Sequence, residues 1–259
     1  MPAFPPDWAN DELNYTADLS LGDKDNAGQM GVKRVQEWCT FHKCATGIDG
    51  DFGPATQQSV CEFQRGSNLP ATGVVDQISW NKLVAPMREC LSPNPADVTE
   101  TLYDVTVRTA KRHYSELPVE IGGDNCGPWV RLYMQGRDGK EWAWCAGFAC
   151  FMLLQANAAR NGGGCPISYR VGVNDLVHDA KRDDRFVPEA IRPDSRIRPG
   201  CLFVKRKNDN WYHTGIVLSV QGQSFQTIEG NTDTDGSPNG YEVFSKTRAY
   251  PGTDFILLP

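Results

Sequence analysis

The chain has 259 residues, of which 40% are hydrophobic and 22% charged, and it carries a net charge of −6. This composition is typical of a folded protein of two domains, and the acidic balance argues against a broad basic surface for nucleic acid. The N-terminal residues MPAFPPDWANDELNY lack the basic start and apolar run of a signal peptide, and no stretch is apolar enough for membrane insertion. We therefore expect a protein made in the cytoplasm without a signal peptide.

The N-terminal third contains three runs with helical periodicity. They are GVKRVQEWCTF, which begins at Gly31, then ATQQSVCEFQ, and then the short WNKL. The intervening IDGDFGP and LPATGVVD are rich in glycine, proline and aspartate, which are typical of turns. These runs predict a small three-helix domain, and a bundle with no role beyond packing is the simplest interpretation.

The order and spacing of these segments point further. The run IDGDFGPATQQSVCEFQRGSNLPATGVVDQISWNKL closely resembles the peptidoglycan-binding domain that accompanies many wall hydrolases. The family pattern D-G-x-F-G-x-x-T matches at residues 49–56, and L-x-x-T-G-x-V-D matches at residues 69–76. The resemblance implies that residues 28–90 bind peptidoglycan, and that residues 1–27 are an N-terminal extension.

Most of the matched residues serve turns and a small core. Polar groups and an aromatic ring near the helix-joining loop would suit sugar or peptide binding. On that basis the candidate wall contacts are Asp49, Asp51, Phe52 and Gln64, each with a purely structural role as the alternative.

Residues 91–97 contain two prolines and predict a linker, so that residues 98–259 form the second domain. Within it, the run from Cys145 to Arg160 has no proline and a single glycine, Gly147, and three glycines follow soon after. This predicts a buried apolar helix that begins at Cys145, where the helix N-terminus favours a thiolate. A buried structural cysteine is the alternative.

Three segments downstream are rich in β-branched and aromatic residues: RPGCLFVKRK, HTGIVLSV and SFQTIEGNT. They predict consecutive antiparallel strands. A three-residue turn at residues 221–223 would place His213 opposite Asn231. Gly215 would then leave space for Glu229 to lean toward the imidazole.

A helix-borne cysteine that faces a strand-borne histidine is the arrangement of a cysteine-nucleophile hydrolase. Cys145 would attack a carbonyl and form a thioester, while His213 would take up and return the proton. Either Glu229 or Asn231 would orient the imidazole ring. The oxyanion would be held by the backbone N–H of Cys145 and by one further donor, for which Asn125 is the candidate.

The segments EIGGDNCGPWV, AWCAGF, HTGIVLSV and IEGNT match, in order, the CHAP group of cysteine- and histidine-dependent amidohydrolases and peptidases. The resemblance covers roughly residues 98–258, with Ala143 where the family usually has proline. It implies an α+β protein, with a papain-like domain whose nucleophile-bearing helix packs on an antiparallel sheet beside the three-helix domain. Trp144, next to the cysteine, is a further candidate substrate contact.

Together the two resemblances imply a peptidoglycan hydrolase used for bacterial lysis. The scissile amide would be that of an N-acetylmuramoyl-L-alanine amidase or of an endopeptidase. A catalytically inactive wall-anchoring module is one alternative, and a cysteine transpeptidase or cytosolic peptidase is another. The hydrolase would reach the periplasm or wall as a phage endolysin released through a holin, or as a type VI secretion effector with a cognate immunity protein. We expect a monomer.

No cofactor and no metal are expected, because the nine cysteines lack C-x-x-C spacing and the four histidines are scattered. One segment needs weighing against this expectation. Residues 231–242, NTDTDGSPNGYE, meet the spacing of a calcium-binding EF-hand loop except that Asn231 stands at the first position. Because strands rather than helices are predicted around it, we expect a polar turn there rather than a calcium site.

Overall fold

The computed structural model describes residues 4–189, 195–234 and 240–259. The helices within these ranges are α1 (Asp7–Leu13), α2 (Gly31–Phe41), α3 (Pro54–Gly66), α4 (Gln77–Leu83), α5 (Ala85–Leu91), α6 (Leu102–Ser115), α7 (Pro128–Tyr133), α8 (Cys145–Ala159) and α9 (Val173–Arg182). The strands are β1 (Phe186–Val187), β2 (Leu202–Lys207), β3 (Asn210–Gln221), β4 (Ser224–Thr232), β5 (Glu242–Ala249) and β6 (Thr253–Ile256). Of the helices in these ranges, none combines the length and apolar character needed to span a membrane.

The N-terminal region is helical, as the periodicity predicts. Helices α2, α3 and α4 correspond to the three predicted runs, and α5 follows α4 directly. Apolar side chains from each of the three helices meet in a common core, including Val35, Trp38, Val60, Phe63 and Leu83, all at most 5% exposed. Burial of such side chains stabilises the fold by about 1.5–3 kcal/mol each.

The C-terminal region is built on one antiparallel sheet. In the described ranges its six strands lie in the order β1-β6-β2-β3-β4-β5. Helix α8 packs on β3 and β4, and α6 packs against α8. The molecule is therefore of mixed α+β class, with a helical N-terminal region, as predicted.

Helix α8 is buried along most of its length, because apolar residues occupy all of its faces. The predicted helix is thus present and begins at Cys145. Its one glycine is required by a close approach of α7: a Cβ atom at Gly147 would lie 2.5 Å from the Met134 sulfur and from the Tyr133 carbonyl oxygen. Helix α7 is thereby held directly against the start of α8.

The turn between β3 and β4 is shorter than predicted. Gln221 pairs with Ser224, so only residues 222 and 223 form the turn. The predicted three-residue turn is therefore wrong, and glycine at position 222, with a φ of 55°, takes the left-handed conformation that such a tight turn requires.

A β-bulge at Leu218 then shifts the register by one residue. Beyond the bulge Ile216 pairs with Ile228, which is the alignment that the longer turn would have produced. Gly215 consequently lies over Glu229, and a Cβ atom at that glycine would come within 3.0 Å of the Glu229 Cγ atom. The shorter turn and the bulge therefore cancel in their effect on the register, and Gly215 leaves space beside Glu229 as predicted.

The N-terminal extension is packed between the two regions. Trp8 of α1 donates a hydrogen bond from Nε1 to the Leu132 carbonyl oxygen on α7, at 3.0 Å. Trp80 of α4 donates in the same way to the Leu13 carbonyl oxygen at 2.9 Å. Helix α1 therefore joins the helical region to the sheet-bearing region.

The contact between the regions contains a buried charge cluster around Arg131 of α7. Its guanidinium lies 2.7 Å from Glu12 of α1, 2.6 Å from Glu37 of α2 and 2.8 Å from Asp138. Side chains Arg131, Glu12 and Glu37 are at most 3% exposed. Burial disfavours the charged guanidinium, but the carboxylates outweigh this effect and hold the pKa of Arg131 well above its ordinary value. One cation thus satisfies carboxylates from three segments.

Replacing Arg131 with methionine should destabilise the protein by about 3–5 kcal/mol, because Glu37 would remain buried without a partner and Glu12 would keep only its contact with Arg34. The shift in unfolding midpoint, followed by tryptophan fluorescence, measures this loss. Adding Glu12→Gln and Glu37→Gln should recover part of it. Arg182→Met is the control and should cost less than about 1 kcal/mol, because the Arg182 side chain is 61% exposed and its partner Asp179 keeps an ion pair with Arg170. Equal losses in the two single variants would contradict the prediction.

Candidate active site

Cys145 is the first residue of α8 and lines a cleft of about 510 Å³. The residue is 3% exposed. The cleft is lined by aromatic and acidic side chains among others, including Trp142, Trp211, Tyr212, Glu141 and Asp175. The cleft therefore combines a thiol at a helix N-terminus with polar and aromatic side chains.

His213 stands on β3, buried to 3% exposure. Its Nε2 atom lies 2.8 Å from the Glu229 Oε2 atom on β4. Its Nδ1 atom is buried and has no hydrogen-bond partner among the described residues. Nε2 is engaged by the carboxylate, so Nδ1 is the nitrogen left for a further partner, and Cys145 is close enough to raise the pKa of the ring.

Glu229 is held by more groups than the sequence indicates. Besides His213, its carboxylate accepts hydrogen bonds from the Thr227 hydroxyl at 2.5 Å and from Arg248 Nε at 2.8 Å. Arg248 lies on β5, a strand that was not predicted, and its guanidinium pairs with both carboxylate oxygens. The β-branched and aromatic residues Val243, Phe244 and Thr247 are the signal in the sequence that could have placed Arg248 on a strand.

The charges of the site reinforce one another. Burial opposes a charged imidazole, but Cys145 and Glu229 outweigh it and raise the pKa of His213 from 6.5 to about 9. Burial likewise opposes ionisation of Glu229, yet hydrogen bonds from Arg248 and His213 lower the pKa of this carboxyl to about 2. At neutral pH the ring is therefore cationic and the carboxylate ionised.

The structure decides between the two candidates for orienting the ring. Glu229 contacts the imidazole, whereas the Asn231 amide donates to the Gly240 carbonyl oxygen at 2.7 Å and to Asn125 Oδ1 at 3.0 Å. The prediction that Asn231 may orient His213 is wrong, because the asparagine, with a φ of 54° at the end of β4, is turned into a separate network.

That network centres on Glu120, a residue that the sequence did not single out. Its carboxylate accepts from the Trp144 Nε1 atom and from the Asn125 backbone N–H, both at 2.8 Å, and from Asn231 at 3.3 Å. The Asn125 amide itself donates to the Lys140 carbonyl oxygen at 2.9 Å. These bonds fix Asn125 near the start of α8, and its role as an oxyanion donor stays a prediction.

Three of the predicted ligand contacts belong instead to the interior. Phe52 and Trp144 are fully buried, and Gln64 is 1% exposed with its amide bonded to the Val74 carbonyl oxygen and to Gly73 N. The prediction that these side chains touch substrate is wrong, because each is enclosed by its own domain.

Asp49 and Asp51 lie toward solvent on the loop before α3. Asp49 accepts from Gln36 at 2.8 Å, and Asp51 pairs with Lys24 at 2.7 Å. Both positions remain reachable by a ligand, although each carboxylate already has a partner within the domain.

The segment considered for calcium, residues 231–242, includes residues 235–239, which lie outside the described residues. At its first position, the Asn231 amide donates to Asn125 Oδ1 and to the Gly240 carbonyl oxygen. Among the residues that are described, no group of three or more histidine, cysteine, aspartate or glutamate side chains could hold a metal ion.

Comparison with known families bears on the N-terminal region. Residues 31–83 match the family described as "Putative peptidoglycan binding domain". No curated protein matches the chain. The match spans α2 to α4, confirms the predicted peptidoglycan-binding domain and indicates association with the cell wall.

Glu229→Gln should lower the pKa of His213 from about 9 toward its ordinary value of 6.5, because the negative partner of the ring is lost. NMR titration of the ring carbons measures this pKa directly.

In the parent protein, the stability that the His213–Glu229 pair contributes should be complete below pH 6.5 and should be lost as pH rises through about 9. A titration midpoint that is unchanged in the variant would contradict the assignment.

During acid titration, the Arg248→Met variant should unfold at a higher pH than the parent protein. The pKa of Glu229 is about 2, so the stability that its ionised form contributes is present above 4.5 and lost as pH falls through about 2. Without the guanidinium that pKa rises, and the loss begins at higher pH. Acid titration followed by tryptophan fluorescence tests this, with Lys207→Met, at an exposed position, as the control.

Proposed function

We propose that the chain is a peptidoglycan hydrolase that cleaves an amide bond in the wall peptide through a Cys145–His213–Glu229 site. The C-terminal region would then be a papain-like domain of the CHAP type. The observation that carries the proposal is the buried His213 ring, whose Nε2 is fixed by Glu229 while Nδ1 is left for a cysteine at a helix N-terminus.

In the first half of the reaction, the Cys145 sulfur attacks the carbonyl carbon of the scissile amide. The cationic His213 ring already carries the proton on Nδ1 before the attack, so the sulfur attacks in its deprotonated form, and the tetrahedral oxyanion receives a hydrogen bond from the backbone N–H of Cys145. His213 then gives its proton to the leaving nitrogen as the C–N bond breaks. The products of this half are a free amine and a thioester on Cys145.

In the second half, a water molecule attacks the thioester while His213 takes one of its protons. The C–S bond breaks, the proton stays on His213 and restores the cationic ring beside the free sulfur, and a carboxylic acid is released. Glu229 keeps the ring oriented through both halves and stabilises its positive charge, without taking up a proton itself. Arg248 holds Glu229 ionised and in place.

The peptidoglycan-binding domain supports wall peptide as the substrate. A cytosolic peptidase would have no use for such a domain. An inactive anchoring module is the second candidate, but the engaged His213–Glu229–Arg248 group argues against it. A domain that served only as an anchor would have no need to keep the cysteine, the histidine and the carboxylate together.

Cys145→Ala should abolish the release of new termini from purified sacculi, with a loss of about 10³-fold or more. Mass spectrometry of the products identifies the bond: a new L-alanine amino terminus indicates an amidase, and a new amino terminus within the stem or cross-bridge indicates an endopeptidase. Cys61→Ala, which changes a partly exposed cysteine of the helical region, is the matched control and should keep full activity.

Three results would overturn the proposal in different ways. Lysis by the Cys145→Ala protein would remove the nucleophile assignment. Wall binding by the parent protein without new termini would indicate an anchoring module. Products in which an added amine replaces water would indicate a transpeptidase.

Delivery to the wall is part of the same proposal. A lytic phage enzyme should be encoded beside a holin, whereas an injected effector should be encoded beside a small inhibitor that binds it. The neighbouring genes therefore separate the two biological settings.

A further inference from the structure

A cavity of about 580 Å³ lies where the N-terminal extension meets the helical domain. It shares no lining residue with the Cys145 cleft. Its walls come from the end of α1 and the segment after it, from the loop before α2, and from Trp80 of α4. Most of the lining residues precede residue 31, where the family match begins. The extension therefore adds a concave surface to the matched domain.

Several polar side chains in this cavity have no partner of their own. Asp11, Asn14 and Thr16 are exposed, and in the described part of the chain none of them makes a side-chain hydrogen bond or ion pair. By contrast, each cation at the cavity has a carboxylate partner, since Arg34 pairs with Glu12 at 3.1 Å and Lys24 pairs with Asp51 at 2.7 Å. In the described part of the chain the Arg34 Nε atom has no partner, but it is buried away from a ligand. The groups left for a ligand are an amide, a hydroxyl and a carboxylate.

Apolar surface completes the lining. Tyr15, Leu19, Met30, Val75 and Trp80 all contribute to the wall. Apolar surface combined with a few unengaged polar groups is the usual character of a small-molecule site, and the volume lies within the range of about 300–1,000 Å³ for such sites.

This chemistry distinguishes between the two components of peptidoglycan. A stem peptide presents carboxylates, and those would meet the Asp11 carboxylate with both neighbouring cations already paired. A glycan of N-acetylated amino sugars presents neutral hydroxyl and acetamido groups, which pair with amide, hydroxyl and carboxylate side chains. Its ring faces and acetyl methyl groups suit the aromatic and aliphatic wall.

We propose that this cavity is the wall-binding site, and that its ligand is the amino-sugar glycan strand rather than the peptide. The inference rests on the wall-binding part of the proposed function and is independent of the Cys145 reaction. It also assigns a role to the extension, whose residues would supply the unengaged polar groups.

The test uses the full chain carrying Cys145→Ala and a β-1,4-linked tetramer of N-acetylglucosamine as the probe. Titration by calorimetry and by NMR should show binding, with shift changes centred on residues 11–34. The double variant Asn14→Ala/Thr16→Ala should weaken binding of the tetramer and of purified sacculi by about tenfold or more. Gln77→Ala, an exposed amide outside the cavity, should leave both unchanged.

Three outcomes would overturn the proposal: no binding of the tetramer, shift changes elsewhere on the domain, or unaltered sacculus binding by the double variant. Binding of a free stem peptide at residues 11–34 would replace the glycan with the peptide as ligand. Failure here is distinct from failure of the hydrolase proposal. With Cys145 restored, the double variant should still cleave a soluble stem-peptide substrate, whatever the binding test shows. Loss of that cleavage in the parent protein would instead contradict the hydrolase proposal.

Discussion

The arrangement of the molecule depends on one buried cation. Arg131 binds carboxylates from α1 and α2 while standing on α7, which packs against the first turn of α8. An isolated charge at this depth would be strongly destabilising, so Arg131, Glu12 and Glu37 are stable only together. The three helices must therefore meet in a single geometry, and this joins the peptidoglycan-binding domain to the helix that carries Cys145.

The same helix connects the cluster to the candidate site through aromatic packing. The Tyr133 ring of α7 stacks on Trp144 with centroids 5.6 Å apart, and Trp129 contacts Trp38 of α2 at 6.2 Å. Trp144 is held in turn by Glu120, which also fixes the Asn125 backbone. The indole that was expected to touch substrate instead fixes the position of the neighbouring Cys145, and this explains its complete burial.

Local patterns were enough to predict the helices α2, α3, α4 and α8, since each has a clear apolar periodicity or a long breaker-free run. They could not predict helix α7 or the contacts of α1. A six-residue helix and a charged extension are stabilised by tertiary contacts rather than by their local sequence. The prediction that Glu229 lies beside His213 assumed a three-residue turn, and the turn has two residues. The bulge at Leu218 shifts the strand pairing by one residue and so restores the predicted register. Which residue orients the ring depends on the backbone at Asn231, and no pattern of residue types reveals that conformation.

The burial of Phe52 and Gln64 has a consequence for where a wall-binding surface lies. A matched motif identifies residues that the fold needs, and Gln64 serves the turn before α4 while Phe52 fills the core. A ligand must bind to groups that the domain has not already engaged. In the described chain such groups gather where the extension crosses the domain, outside the matched motif, because that surface is not required for the three helices to pack. Since α1 is also tied to Arg131, a glycan bound there would be held at a fixed orientation to the Cys145 cleft.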